Sequence, residues 1–273
     1  MTLDELYKQA RLRIDPLDAR LLMCHALHIS QEDFLLQSDR VLSDQETTII
    51  LLLVDQRAGG RPIAKIKGYK EFYSHKFATS DDTLDPRPDT EILVDAAKRM
   101  IPMGQPCRVM DLGTGTGCIG LTLMLERPHA SLVAVDISPQ ALLVARQNAE
   151  RFTLMDRVQF VQSDWCSSVT GRFDVIVSNP PYIPSNIIST LMTDVKDHDP
   201  YLALDGGVDG LDPYRKIISQ LPQVLAREGW IFFEVGHDQA AQVWALLEQA
   251  QFGNLRTYRD LAGIERVVAG CRL

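Results

Sequence analysis

The sequence predicts an α/β fold, a mainly parallel sheet covered on both faces by helices, with a small helical domain ahead of it. Three observations carry that expectation. From about residue 106, short apolar runs alternate with helical stretches, the pattern of parallel strands joined by crossover helices. Residues 1–60 read as helix, with start signals at the helix boundaries. Gly59-Gly60 and Pro62 then break the helical pattern. At 273 residues the chain is long enough for a sizeable core and for two domains.

The leader holds about four helices. Asp15-Pro16 reads as an N-cap with proline at the first helical position, ahead of LDARLLMCHAL. Ser43 and Glu46 form a capping-box pattern ahead of the apolar run 49–54. EFYSHKFATS, with its aromatics and partial alternation, predicts a short β-hairpin or connector. LDPRPDTE, 84–91, starts the next helix. Its prolines keep Asp85 and Arg87 extended, and Asp89 and Glu91 fall in a first turn where negative charge is favoured. CRVMDLG then predicts a strand, followed by a helix from 117. SLVAVD predicts another, followed by a helix opened by Ser138-Pro139. VQFVQSD and FDVIVS are the next strands, Asp212-Pro213 opens a helix, GWIFFEVG is a strand, and 238–250 is helical. Runs near 254–259 and 265–269 are close enough for an antiparallel hairpin. The expected boundaries are a helical domain over 1–68, a β-hairpin linker over 69–85 and the α/β domain over 86–273. Ligands on such a sheet bind at the carboxyl ends of its strands, where the motifs below all fall.

Composition narrows the function classes. Hydrophobic residues make up 45% of the chain without low-complexity tracts, an ordinary globular composition. Net charge is −8: residues 1–70 hold ten basic and ten acidic side chains, and the rest hold 18 and 26. A protein that tracks phosphates usually carries a basic excess, so a nucleic-acid substrate is disfavoured. The longest apolar run, 49–54, is far too short to span a membrane. MTLDELYKQA has no basic stretch followed by an apolar one, so no signal peptide is expected. Five scattered cysteines (Cys24, Cys107, Cys118, Cys166, Cys271) predict reduced thiols in the cytoplasm rather than a disulfide frame.

DLGTGTGC, 111–118, leaves the first strand of the α/β domain and enters a helix. Gly113, Gly115 and Gly117 allow positive φ and close approach of backbone to a ligand. GTGCIG formally matches the dinucleotide fingerprint, so the turn alone does not separate a nicotinamide cofactor from another nucleoside. Asp136 ends the second strand, placed to accept hydrogen bonds from ribose hydroxyls. Asp111 sits beside the glycines, where a carboxylate repels a pyrophosphate and suits a cationic ligand end. That moves the reading towards S-adenosylmethionine; the competing reading is an acid that only orients the loop.

NPPY, 179–182, follows the strand FDVIVS. Each proline keeps the residue before it extended and has no N–H to donate. The turn therefore offers acceptors: the Asn179 side-chain oxygen and backbone carbonyls. Acceptors suit a guest –NH2 group, whose plane two hydrogen bonds would fix. An amide or nucleobase nitrogen is a poor nucleophile because its lone pair is delocalised. Alignment and stabilisation of its developing positive charge are then the available levers. Tyr182 can pack on a planar guest or face a cationic methyl donor. No metal and no strong general base is required. Cys24, His25 and His28 lack a second ligand pair of matching spacing, and the calcium-loop reading of Asp205, Asp209 and Asp212 fails because Lys216 stands where a Glu is needed.

NPPY with DLGTGTG resembles the amino-methyltransferases that use S-adenosylmethionine, a group acting on adenine, cytosine or protein glutamine. PIAKIKGYKEFYSHKF, PRPDTE, SDW and DGLDPYRKII narrow the resemblance to the HemK family, the glutamine methyltransferases of peptide-chain release factors. It covers nearly the whole chain. It implies a class I S-adenosylmethionine-dependent methyltransferase domain with a Rossmann-like seven-stranded sheet. It also implies a helical domain that helps recognise a protein substrate, the glutamine of the GGQ motif in class-1 release factors. Carried onto this sequence, Gly113, Thr114, Gly115, Thr116, Gly117 and Asp136 hold the cofactor, with Trp165 beside it and Asn179 shared. Asn179, Pro180, Pro181 and Tyr182 take the glutamine, and Asn179, Pro180 and Tyr182 carry the catalysis. Arg87, Thr90 and Glu91 border the cleft. The product would be S-adenosylhomocysteine. Asp85 and DHDP, 197–200, depart from the family's pattern.

Three other readings compete. An amino-methyltransferase of adenine or cytosine keeps the chemistry, but the acidic balance opposes it. A non-catalytic binding module would have no need of NPPY. A nicotinamide oxidoreductase explains the glycines and leaves NPPY unexplained.

Overall fold

Side-chain caps start four of the five helices of the leader. In a computed structural model describing Met1–Leu273, α1 (Leu3–Ala10), α3 (Gln31–Leu36) and α4 (Asp44–Ala58) each open on a complete capping box, built by Thr2 and Glu5, Ser30 and Asp33, and Ser43 and Glu46. In each box one side chain satisfies a backbone N–H that the helix itself leaves without a partner. α2 (Pro16–Leu27) opens on Asp15, which accepts from the Leu17 N–H at 2.8 Å. α5 (Ile63–Lys67) follows the Gly-Gly-Arg-Pro break. Leu3, Leu6, Ala19, Met23, Phe34, Ile50 and Val54 form the core of these helices.

The chain divides into two compact units. The first joins Met1–Tyr69 to a distant segment, Met192–His198. Arg57 on α4 makes that join: its Nε donates to Asp18 Oδ2 at 2.6 Å and its Nη1 to Asp194 Oδ2 at 2.8 Å. No sequence pattern announces this pairing across 137 positions.

The second unit, Lys70–Leu191 with Asp199–Leu273, carries the sheet. A hairpin comes first, β1 (Tyr69–Phe72) and β2 (His75–Ala78), turning through Tyr73 and Ser74 at φ +51° and +61°. Phe72 and Phe77 are fully buried in the main core, so the hairpin expected as a linker is packed structure. PRPDTE forms a 3₁₀ turn, Pro88–Thr90, running into α6 (Glu91–Ala97). There follow β3 (Cys107–Leu112), α7 (Cys118–Glu126), β4 (Ala130–Asp136), α8 (Pro139–Arg151), β5 (Val158–Gln162) and β6 (Phe173–Ser178). Past α9 (Thr193–Lys196), which lies in the first unit, come α10 (Asp212–Val224), β7 (Leu225–Glu234), α11 (Ala240–Gln249), β8 (Phe252–Arg259) and β9 (Glu265–Arg272).

The seven-stranded sheet has the order β5-β4-β3-β6-β7-β9-β8. β5 through β7 are parallel, and β9 inserts antiparallel between β7 and β8. Alternation along each strand feeds two cores. Val109, Val175, Val177 and Phe232 face one, shared with Leu93 of α6 and Leu121 of α7. Met110, Ile176, Ile231 and Phe233 face the other, with Ile217 and Leu221 of α10 and Val243 and Leu247 of α11. Each such side chain, once buried, contributes about 1.5–3 kcal/mol. Chain order reverses at β3, which pairs with β4 on one side and β6 on the other. No helix is long and apolar enough to cross a membrane.

Asn148 on α8 is fully buried and fixes the edge of this unit. Its Oδ1 accepts from the Ala78 N–H at 2.7 Å, and its Nδ2 donates to the carbonyls of Ala78 and Thr116 at 3.0 and 2.9 Å. Asn148→Ala leaves those backbone groups without partners and is expected to lower unfolding free energy by about 2–3 kcal/mol, measured by urea denaturation.

Candidate active site

A cavity of about 490 Å³ opens at the carboxyl ends of β3, β4 and β6, a volume suited to a nucleoside-sized ligand. The glycine turn forms its floor. The N–H groups of Gly113 and Thr114 both donate to the Val135 carbonyl at 2.9 Å, folding the turn against the end of β4. Gly113 has φ +71°, and a β-carbon there would stand 3.4 Å from the Trp165 ring. The positive φ, more than the space beside the indole, is what calls for glycine here. Trp165 itself has φ +55°, a strained backbone for a bulky residue, and serves as both cavity wall and core neighbour.

Asp136 is held by backbone donors. Gly115 N–H reaches Oδ2 and Ser138 N–H reaches Oδ1, each at 2.9 Å. Burial raises its pKa, and those N–H groups with that of Ile137 oppose the rise. Each oxygen keeps further acceptor capacity, and Asp136 lines the cavity.

Asp111 is fully buried and does not line the cavity. Its Oδ2 accepts from Thr114 Oγ1 at 2.8 Å and Gly120 N–H at 3.0 Å, so it braces the turn. Oδ2 thus takes the loop-orienting role, and Oδ1 is left buried without a hydrogen-bond partner. Burial, with the Asp136 charge adding to it, pushes its pKa up to about 6.

Ser178, the last residue of β6, sits beside Leu112, the last of β3, and its hydroxyl donates to the Leu112 carbonyl at 2.8 Å. This places Asn179 next to Gly113 in the lining of one cavity. The NPPY backbone is then clamped from behind. Gln239 Nε2 donates to the Tyr182 carbonyl at 2.9 Å and to the Gly210 carbonyl at 3.3 Å. The DGGVDG loop lies so close that a β-carbon at Gly210 would stand 2.4 Å from the Tyr182 oxygen.

The cavity collects Gly113, Thr114, Gly115, Thr116, Asp136, Trp165, Asn179 and Pro181, with Arg87 and Thr90. Gly117, Pro180, Tyr182 and Glu91 lie outside its lining. Gly117 is the left-handed N-cap of α7, where a β-carbon would stand 2.8 Å from Leu121. Pro180 is buried, and the Tyr182 ring packs against the second core. Burial pushes the Tyr182 pKa up to about 12. Glu91 turns away and accepts from the Tyr73 N–H at 2.7 Å.

Both departures from the family pattern place buried acids, of which Asp85 also lines the cavity. Asp85 Oδ1 accepts from Thr79 Oγ1 at 2.6 Å, and buried Asp199 pairs with Arg87 at 2.8 Å. Cys24 Sγ donates to the Ser30 carbonyl, and His28 closes α2 in the left-handed conformation. Sequence reasoning missed Gln239, Asn148 and Glu234, whose partners lie far away in the chain. The acid in GWIFFEVG, at a strand's carboxyl end, was the one available signal for Glu234.

A family model described as the methyltransferase small domain matches residues 71–195, and one described as the PrmC N-terminal domain matches residues 5–68. A release factor glutamine methyltransferase of Agrobacterium fabrum is 41% identical over 259 residues, 93% of this chain and 90% of that protein. One from Rhodospirillum rubrum is 44% identical over 255 residues, 93% of this chain and 78% of that protein. The crystal structure of a methyltransferase from Pyrococcus furiosus aligns with a TM-score of 0.56 at 16% identity, covering 81% of this chain and 95% of that one, a likeness of fold. At such identity over nearly its whole length, the chain belongs to the release factor glutamine methyltransferase family.

Proposed function

We propose that the protein methylates the side-chain amide nitrogen of the glutamine in the GGQ motif of class-1 release factors, with S-adenosylmethionine as donor, and so modulates translation termination. The observation that carries this is Asn179 at the end of β6, lining the same cavity as the glycine turn and Asp136. The residues fit the cofactor. The turn brings bare backbone to the cavity, and Asp136 presents a carboxylate already fixed by Gly115 and Ser138. Bound S-adenosylmethionine supplies an electrophilic methyl on a sulfonium sulfur.

The chain's own residues align and desolvate. Asp136 accepts the ribose hydroxyls, and Trp165 and Gly113 wall the pocket. Asn179 Oδ1 and a backbone carbonyl of the NPPY prolines, of which Pro181 lines the cavity, accept the two N–H groups of the glutamine amide and fix the plane of its nitrogen. The cofactor would supply the methyl and keep the electron pair of the methyl–sulfur bond, and the glutamine amide would release one proton to water. As positive charge grows on nitrogen, the acceptors strengthen their hold, which lowers the barrier. The helical leader is the part we assign to partner recognition; exposed Leu35, Leu36 and Val41 give it apolar contact surface. Five free cysteines accord with a cytoplasmic site of action.

Transfer of labelled methyl tests the reading. Label is expected on an intact class-1 release factor and not on the factor with its GGQ glutamine replaced; label on bulk DNA or RNA alone would move the substrate to nucleic acid. Asn179→Ala is expected to lower kcat by about two orders of magnitude or more with cofactor affinity nearly unchanged. Near-normal turnover would remove the acceptor role. Asp136→Ala is expected to weaken cofactor binding by about 1–3 kcal/mol in calorimetry. Unchanged affinity would contradict the ribose assignment.

A further inference from the structure

Behind Asn179, on the side away from the cavity, stands a carboxylate that the chemistry above does not use. Glu234 ends β7 and is 4% exposed. Its Oε2 is buried with no hydrogen-bond partner, and the residue does not line the cavity. β7 pairs with β6 so that Phe233 stands beside Ser178, which sets Glu234 next to Asn179; the side chains of Thr90 and Asn179, which do line the cavity, favour its charged form. Asn179 Nδ2 also donates to Thr90 Oγ1 at 3.5 Å. An apolar side chain would fill this space at lower cost, since burying a carboxylate short of partners is unfavourable.

We infer that Glu234 is a positioning residue that locks the Asn179 side-chain amide with its nitrogen inward and its oxygen towards the substrate amide. The inference rests on the proposed role of Asn179. An ionised carboxylate can only accept. A neighbouring primary amide must therefore offer its –NH2 to it, which leaves Oδ1 on the cavity side. The carboxylate also polarises the Asn179 amide, making Oδ1 a stronger acceptor as charge develops on the substrate nitrogen. A neutral group in its place can donate as well as accept. The two orientations of Asn179 then compete, and one of them points donors at the donors of the substrate.

Several groups set the charge on Glu234. Asp89 opposes ionisation, while Arg266 favours it and pairs with Asp89 at 3.0 Å. Tyr182 and Cys118 face it as neutral acids, and the Tyr214 hydroxyl donates to its main-chain carbonyl at 2.8 Å. Burial is the largest influence, and the pKa rises to about 7. The folded-state pKa thus lies above the unfolded one. Between the two values the folded state binds more protons, so this group's contribution to stability falls as pH rises and is lost above about pH 7.

The test uses the full chain, labelled S-adenosylmethionine and a class-1 release factor. The parent's kcat is expected to rise through a limb centred near pH 7, where Glu234 ionises. Glu234→Gln is expected to lower kcat at pH 8 about tenfold or more, to abolish that limb, and to leave calorimetric cofactor affinity within about twofold. It should melt no lower than the parent at pH 8, since a buried charge is removed. Added to Asn179→Ala it should lower kcat no further, because it acts through Asn179. Near-parental kcat in Glu234→Gln, persistence of the limb, or further loss in the double variant overturns the inference. If Asn179→Ala is itself nearly normal, the role of Asn179 fails instead. Loss in Asn179→Ala with normal Glu234→Gln removes the positioning role alone.

Discussion

The Ser178 hydroxyl donates to the Leu112 carbonyl at 2.8 Å, closing the point where two parallel strands end side by side. Everything at the site depends on that junction. β3 delivers the glycine turn and β6 delivers NPPY, and their shared register puts a bare-backbone floor beside a donor-poor turn. The sheet can do this only where chain order reverses, because there the two loops leave the sheet in opposite directions and open a crevice. The register is held by apolar side chains above and below it. Val109 and Val177 face one core, Met110 and Ile176 the other, and a slip of one residue would exchange their faces.

The junction also concentrates acids in an apolar setting. Asp111, Asp136 and Glu234 stand at or near the carboxyl ends of β3, β4 and β7, and burial raises the pKa of each. Their surroundings divide the labour. Asp111 receives a hydroxyl and an N–H and braces the turn. Asp136 receives two backbone N–H groups and faces the cavity. Asp111 and Glu234 each keep one buried oxygen without a partner, Oδ1 and Oε2, and Glu234 is the one behind the reacting amide's partner. Strain and unsatisfied charge at one place are the usual mark of stability given up for function. Trp165, held at positive φ over Gly113, belongs to the same pattern.

A methyl acceptor with a delocalised lone pair asks little of a protein in proton transfer and much in alignment. The supporting contacts reflect that demand. Gln239 holds the Tyr182 carbonyl, the DGGVDG loop presses against the same residue, and Asn148 ties the hairpin to Thr116 of the glycine turn. α8 supplies Asn148 and the N-terminus of α11 supplies Gln239, so regular elements hold two of these contacts.

What the sequence alone determined is whatever its neighbours in the chain encode. Caps at Thr2, Asp15 and Ser43 start helices by binding N–H groups two or three residues on. Alternating apolar runs announce the strands, and glycines or prolines at their ends announce the turns that form the floor and the acceptor wall. Tertiary structure decided what depends on distant partners. Asp111 became a brace because Thr114 and Gly120 fold onto its Oδ2. The Tyr182 ring packed against the second core, the hairpin became packed structure, and Met192–His198 joined the leader through Arg57. Glu234 acquired its place behind Asn179 only when β7 paired with β6. Local patterns specify backbone conformation, whereas burial and electrostatics arise between residues that meet only after the sheet has closed around its two cores.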